Sequence, residues 1–189
     1  YKKDFDKLDI KTKNNAVSEA RARLKLIFSG SKDVDQPYIK NSAYNQKKIT
    51  TRLLGNKSPI KILIASHSFY DSPHGNGKNL FPDFYEWLEF IGESSNKTDY
   101  EWYIKTHPGI DILDKKAIDD FVLLYKKIIL IPDTTSHLQL IEEGINLVLT
   151  VYGSIGIEYA AKNITVINAS LNNPHISYDF NIHPKSKEE

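Results

Sequence analysis

The sequence predicts an α/β domain built on a mainly parallel sheet with helices on both faces, preceded by an N-terminal helical or irregular arm. Short, β-branched apolar runs recur through residues 58–189, and the stretches between them carry helical periodicity. Residues 1–57 lack this alternation of runs; they are polar and rich in Lys, Asn and Asp. The division expected is therefore an arm or linker over 1–57 and one domain over 58–189.

A chain of 189 residues can bury one sizeable core and carry an extension, but cannot build two full domains. Lys and Arg total 25 against 24 Asp and Glu, so no electrostatic footprint for nucleic acid is expected. The sequence has no cysteine, which excludes a disulfide framework and a thiolate zinc site. No apolar run approaches the ~18 residues of a membrane span, so a cytoplasmic location is expected, a peripheral position at the inner membrane face included. The chain opens at Tyr1 and contains no methionine, which reads as a piece of a longer protein.

Within the arm, Ala16, Ala20, Leu24 and Ile27 share one face of a helix expected over Asn14 to Ile27, and Ser29-Gly30-Ser31 stops it. Tyr38, Lys40, Tyr44, Lys47 and Lys48 then form either a solvated stretch or an acceptor-contacting surface. After Pro59, Ile60 to Ala65 is a run of the kind buried on both faces of a parallel sheet. Further strands are expected at Glu101 to Thr106, Ile128 to Ile131, Leu147 to Val151 and Ile164 to Asn168. Each gap leaves room for a helix, which gives right-handed βαβ units and a Rossmann-like sheet.

Leu80, Phe84, Leu88 and Ile91 make one helical stripe, and Leu113, Ala117, Phe121 and Leu124 the next. Ser136 with Gln139 suggests a capping box for a short third helix that carries His137 in its first turn and ends at a left-handed Gly144. Ile155 to Lys162 forms the last helix, closed by Asn163.

In an open sheet of this kind ligands bind outside the carboxyl ends of the strands. Polar residues that a core does not explain gather at three of those ends. The loop after the first strand, Ser66 to Gly77, holds His67, Asp71 and His74 together with glycines that permit close backbone approach. It reads as a substrate loop or as plain surface; a metal site of His67, Asp71 and His74 would lack a known ligand spacing, and none is expected. At the second end, Pro108 holds His107 extended, where an imidazole can donate to a phosphate oxygen, titrate near neutrality, or merely bond a loop carbonyl. At the third, Gly153 and Ser154 open a helix whose N–H groups favour an anion, and Glu158 follows one turn on. Serine is also an ordinary N-cap residue. Paired with His107, the helix start suggests a monophosphate or diphosphate held between a helix terminus and an imidazole.

The succession Lys105-Thr106-His107-Pro108, then Gly153-Ser154-Ile155-Gly156-Ile157-Glu158-Tyr159-Ala160, then the strand Ile164-Thr165-Val166-Ile167, resembles the carboxy-terminal donor-binding domain of GT-B glycosyltransferases of bacterial capsule and surface-polysaccharide synthesis. The resemblance covers Pro59 to His183 and implies the following expectations. The substrate is a nucleotide-sugar donor, used without metal or other cofactor, and the acceptor is a glycan or lipid-linked. His107, Pro108, Gly153 and Ser154 contact donor phosphate, Glu158 contacts ribose or sugar hydroxyls, and the catalytic groups come from His67, Asp71 and His74. A further N-terminal domain of the same protein completes the cleft. Thr150 and Val166 stand where the Glu-x7-Glu pattern of many retaining members would put a second carboxylate. Two other functions suit the same architecture: a teichoic-acid-type transferase taking a CDP-alcohol, and a non-catalytic sugar-nucleotide-binding module.

Overall fold

The computed structural model describes residues 1–31, 42–44, 49–70, 78–107 and 110–189. Asp71, His74 and Pro108 lie outside these residues, as do Tyr38, Lys40, Lys47 and Lys48.

The described residues form helices α1 (Lys2–Asp6) and α2 (Ile10–Phe28), then β1 (Lys61–Ala65), α3 (Phe84–Asn96), β2 (Glu101–Lys105), α4 (Ile112–Leu124), β3 (Ile128–Ile131), α5 (His137–Glu142), β4 (Leu147–Thr150), α6 (Ile155–Ala160) and β5 (Thr165–Asn168). The five strands make one sheet in the order β3-β2-β1-β4-β5, and every pairing is parallel. The expected fold class is the observed one. The order reverses between β1 and β4, so the crevice where ligands bind in open sheets lies there. Beyond β5, Ile182 accepts from the Asn168 N–H at 3.0 Å and donates to the Val166 carbonyl at 2.9 Å, so a single parallel bridge from the C-terminal segment lies along that edge.

Side-chain alternation divides the core in two. Ile62, Ile64, Trp102, Ile104 and Ile128 point to one face, where α3 contributes Phe84, Trp87, Leu88 and Ile91 and α4 contributes Ile118 and Phe121. Leu63, Ala65, Tyr103, Ile131, Val148 and Val166 point to the other, against Leu140 of α5 and Tyr159 of α6. Residues 49–57 are laced to this second face. The Leu53 and Leu54 N–H groups donate to Glu143 Oε2, each at 2.8 Å, and the Gly55 N–H to the Tyr103 hydroxyl at 2.8 Å. Leu54 is buried in the same cluster.

Three local expectations need correction. α2 begins at Ile10 rather than Asn14, because Asp9 caps it by accepting from the Thr12 N–H at 3.0 Å; none of its residues is buried. α4 turns Asp114, Ile118 and Phe121 inward, whereas Leu113 and Leu124, expected on the buried stripe, are 63% and 64% exposed. Ser136 caps α5 through the Leu138 N–H at 3.2 Å, but Gln139 does not close a capping box. Its amide donates to Glu143 Oε1 and to the Ile49 carbonyl instead, which ties α5 to residues 49–57. Gly144 (φ 105°) and Asn163 (φ 59°) adopt the left-handed conformation expected of helix closers.

Candidate functional site

His67 sits two residues beyond β1, where the chain leaves the sheet, and its ring is drawn back over the apolar face. It stacks on Phe84 at 4.7 Å between centroids and lies 5.2 Å from the ring of Tyr152. The Val151 N–H donates to its Nε2 at 3.2 Å, and Thr150 Oγ1 lies 3.0 Å from the same nitrogen. An acceptor of a backbone N–H must be unprotonated, so the ring carries its hydrogen on Nδ1. Burial pushes its pKa down to about 3, and nearby His107 adds to the effect. The imidazole is thus a neutral tie between the β1 loop and the end of β4, across the crevice, and its accepting nitrogen is already engaged.

The same loop is held from a second side by a residue that the sequence reading overlooked. Asp114, buried in the first turn of α4, accepts from the Ser68 hydroxyl at 2.8 Å and from the Phe69 N–H at 3.0 Å. An aspartate inside an otherwise helical run, three residues after the N-cap Asp111, was the available signal.

His107 follows β2, half-buried, and its carbonyl accepts from the Ile110 N–H at 3.0 Å. His67 and His107 each stand two residues beyond the paired ends of the adjacent strands β1 and β2, Ala65 and Lys105. Gly153 takes φ 118°, and among the described residues no atom beyond its chain neighbours lies within 4 Å of where a Cβ would stand. Backbone conformation, rather than space, makes glycine fit this turn. Ser154 occupies the N-cap position of α6 in helical geometry (φ −64°, ψ −26°), makes no side-chain cap bond and is exposed. α6 has six residues, fewer than expected, so its dipole adds little and the serine side chain is the main polar group offered there.

Glu158 is half-buried, and the Tyr44 hydroxyl donates to its Oε2 at 2.7 Å. Tyr44 is itself only 2% exposed, edge-on to Phe28 at 5.2 Å and tilted against His137 at 5.5 Å. Burial, then the Glu158 charge, pushes the Tyr44 hydroxyl well above its ordinary pKa, so it remains a donor. One layer deeper, His137 Nδ1 and the Tyr159 hydroxyl are 2.6 Å apart. Burial and then the charge of Lys105 draw the His137 pKa down to about 3. The carboxyl end of the sheet on this face therefore carries a polar cluster in which Tyr44, His137, Tyr159 and Lys105 are buried and Glu158 is half-buried. His137 and Lys105 were in view in the sequence, but only as parts of a helix start and a strand end.

His67 and His107 take equivalent places beyond two adjacent strands, while Glu158 is joined to Tyr44 of the arm. Among the described residues no three of His, Asp or Glu gather as metal ligands, and no helix is long and apolar enough to cross a membrane.

No protein-family model matches the chain, and no curated protein matches it in sequence. Solved structures do. KpsC of Thermosulfurimonas dismutans, described as a beta Kdo 2,4 transferase, superposes with a TM-score of 0.57 at 18% identity, covering 90% of this chain and 49% of that one. The UDP-GlcNAc 2-epimerase of Neisseria meningitidis, solved with UDP-GlcNAc bound, gives a TM-score of 0.40 at 17% identity over 87% of this chain and 33% of that one. The chain thus spans about half the length of the transferase whose fold it shares.

Proposed function

We propose that this chain is the donor-binding half of a GT-B-type glycosyltransferase that takes a nucleotide-activated sugar and extends a bacterial surface polysaccharide. The observation that carries the reading is the gathering of His67, His107, Gly153 and Ser154 at the carboxyl ends of β1, β2 and β4, around the point where strand order reverses. The fold shared with a Kdo transferase supports it.

In this reading His107 and the Ser154 hydroxyl donate to donor phosphate and stabilise the charge that develops on it as the glycosidic bond to the sugar breaks. No metal is needed in this scheme. Glu158 accepts from ribose or sugar hydroxyls once the Tyr44 phenol gives way. Asp71 and His74 are the candidates for the base that activates the acceptor; His67 orients their loop, because its own acceptor nitrogen is taken up by Val151. The acceptor, a glycan or lipid-linked glycan, is held by a second domain. Catalysis needs it in near-attack geometry, a positioning effect worth ~7 kcal/mol or more. The isolated chain should therefore bind donor yet turn over well below the ~1 s⁻¹ of ordinary enzymes.

The test is a thermal-shift screen with CMP, CDP, UDP, GDP and CDP-glycerol, since a ligand of the native state raises its apparent stability. One nucleotide should stand out. His107→Ala and Ser154→Ala should each weaken it by about 1–3 kcal/mol in calorimetry with the fold intact. A preference for CDP-glycerol would make the chain a CDP-alcohol transferase; no binding by any nucleotide would end the reading.

A further inference from the structure

Lys105 interrupts the apolar pattern at the end of β2. Its side chain shares a face with Tyr103, and the residue is only 3% exposed. A buried ammonium is costly unless a carboxylate or several acceptors surround it. Here Nζ donates, among the described residues, to one group, the carbonyl oxygen of Asp133, at 2.9 Å. Among the described residues no carboxylate forms an ion pair with it, and the charge of Asp133, an exposed residue, acts on it only through space. The turn that accepts this bond, closed by the Thr135 N–H on the Pro132 carbonyl at 3.0 Å, carries a second under-used group. Thr135 is 1% exposed, and among the described residues its Oγ1 has no hydrogen-bond partner.

A cation short of acceptors and a hydroxyl without a partner thus stand at the carboxyl ends of two adjacent strands, two residues from His107. Neither is what packing would select, because an apolar side chain of the same length would fill the Lys105 position without the desolvation cost. We infer that Lys105 is the buried cation of an anion-binding subsite at the end of β2, with the Thr135 hydroxyl as a second donor, for the phosphate or carboxylate oxygens of a charged donor substrate. The inference rests on the donor-binding reading above and extends it: the crevice selects its ligand by charge as well as by shape.

Lys105→Met and Thr135→Val keep volume and remove the charge and the hydroxyl. Calorimetry would be run with CMP, UDP and GDP, with the matching nucleosides, and with glucuronic acid beside glucose, while urea unfolding reports on the fold. The wild-type chain should prefer a nucleotide to its nucleoside. Lys105→Met should cut that nucleotide's affinity about ten- to a hundredfold, the loss expected for a charged hydrogen bond, and leave nucleoside affinity unchanged. Its unfolding midpoint should stay level or rise. Thr135→Val should act in the same direction, more weakly. A loss confined to glucuronic acid would identify the anion as a sugar carboxylate rather than a phosphate. Equal affinities in wild type and Lys105→Met for every anion would overturn the subsite but not the donor-binding reading. So would a loss shared by nucleotide and nucleoside with a lower unfolding midpoint, since that marks a structural lysine. A wild-type chain that binds none of these ligands would overturn both.

Discussion

The two faces of the sheet are made from the same strands, yet their carboxyl ends are furnished differently. Toward α3 and α4 the interior is mostly apolar, and its polar groups at the crevice are satisfied: Asp114 accepts from Ser68 and Phe69, and His67 lies flat on Phe84 with its acceptor nitrogen taken by Val151. Toward α5 and α6, burial includes Lys105, His137, Tyr159 and Tyr44, with the Glu158 carboxylate at their edge. The first arrangement is what stability alone would choose. The second gives up stability for polar groups held in fixed positions, which is the usual mark of a surface shaped by what it binds.

The largest expected effect strikes both faces at once. His67 and His137, one on each, have pKa values of about 3 in the fold against an ordinary 6.5. Below pH 6.5 the unfolded chain takes up protons that the folded chain refuses, so stability falls as pH drops, at up to about 1.4 kcal/mol per unit for each ring, until pH approaches 3. Urea unfolding should lose about 5 kcal/mol between pH 6.5 and 4.5 from the pair together. His137→Phe should remove roughly half of that slope, and a flat profile in the wild type would mean that the rings are not buried neutral.

Trp87→Ala tests the apolar face alone. Trp87 is 3% exposed and packs in the cluster with Phe84 and Ile91, so the cavity should cost about 3–5 kcal/mol in urea unfolding. Nucleotide binding in the surviving folded fraction should be unchanged. Tyr44→Phe tests the polar face: the ring contacts persist while the Glu158 carboxylate loses its donor, a loss of about 1–2 kcal/mol. If Glu158 also receives a ligand hydroxyl, the same variant should bind donor no more weakly than wild type. Gly153→Ala should be mildest, about 1 kcal/mol of backbone strain at φ 118° with no steric clash, visible as a drop of a few degrees in Tm.

Continuous apolar runs such as Ile62-Leu63-Ile64 made the parallel strands legible, because a strand buried on both faces has no polar alternation to confuse with a helix. Helix faces were harder. In α4 the leucines at 113 and 124 fit an apolar stripe, but Asp114 turns inward to hold the Ser68 hydroxyl and the Phe69 N–H, and the helix rotates with it. A contact of that range leaves no periodic trace. Of the site, the strand-end positions of His67 and His107 and the turn at Gly153 could be read from spacing. That His67 would be spent on Val151, or that Tyr44 would reach Glu158 across 114 positions, could not, since both depend on where distant segments fold back.

The bridge between β5 and Ile182 bears on how this molecule meets others. An open sheet presents two unpaired edges, each a template on which a foreign strand can assemble. At β5 the Asn168 N–H and the Val166 carbonyl are already paired with Ile182, so that template is blocked. At β3 no such cover exists among the described residues, and Ile129 is 52% exposed. Strand addition, whether in a regular assembly or in aggregation, is thereby biased to one end of the sheet, the end farthest from the β4 and β5 turns.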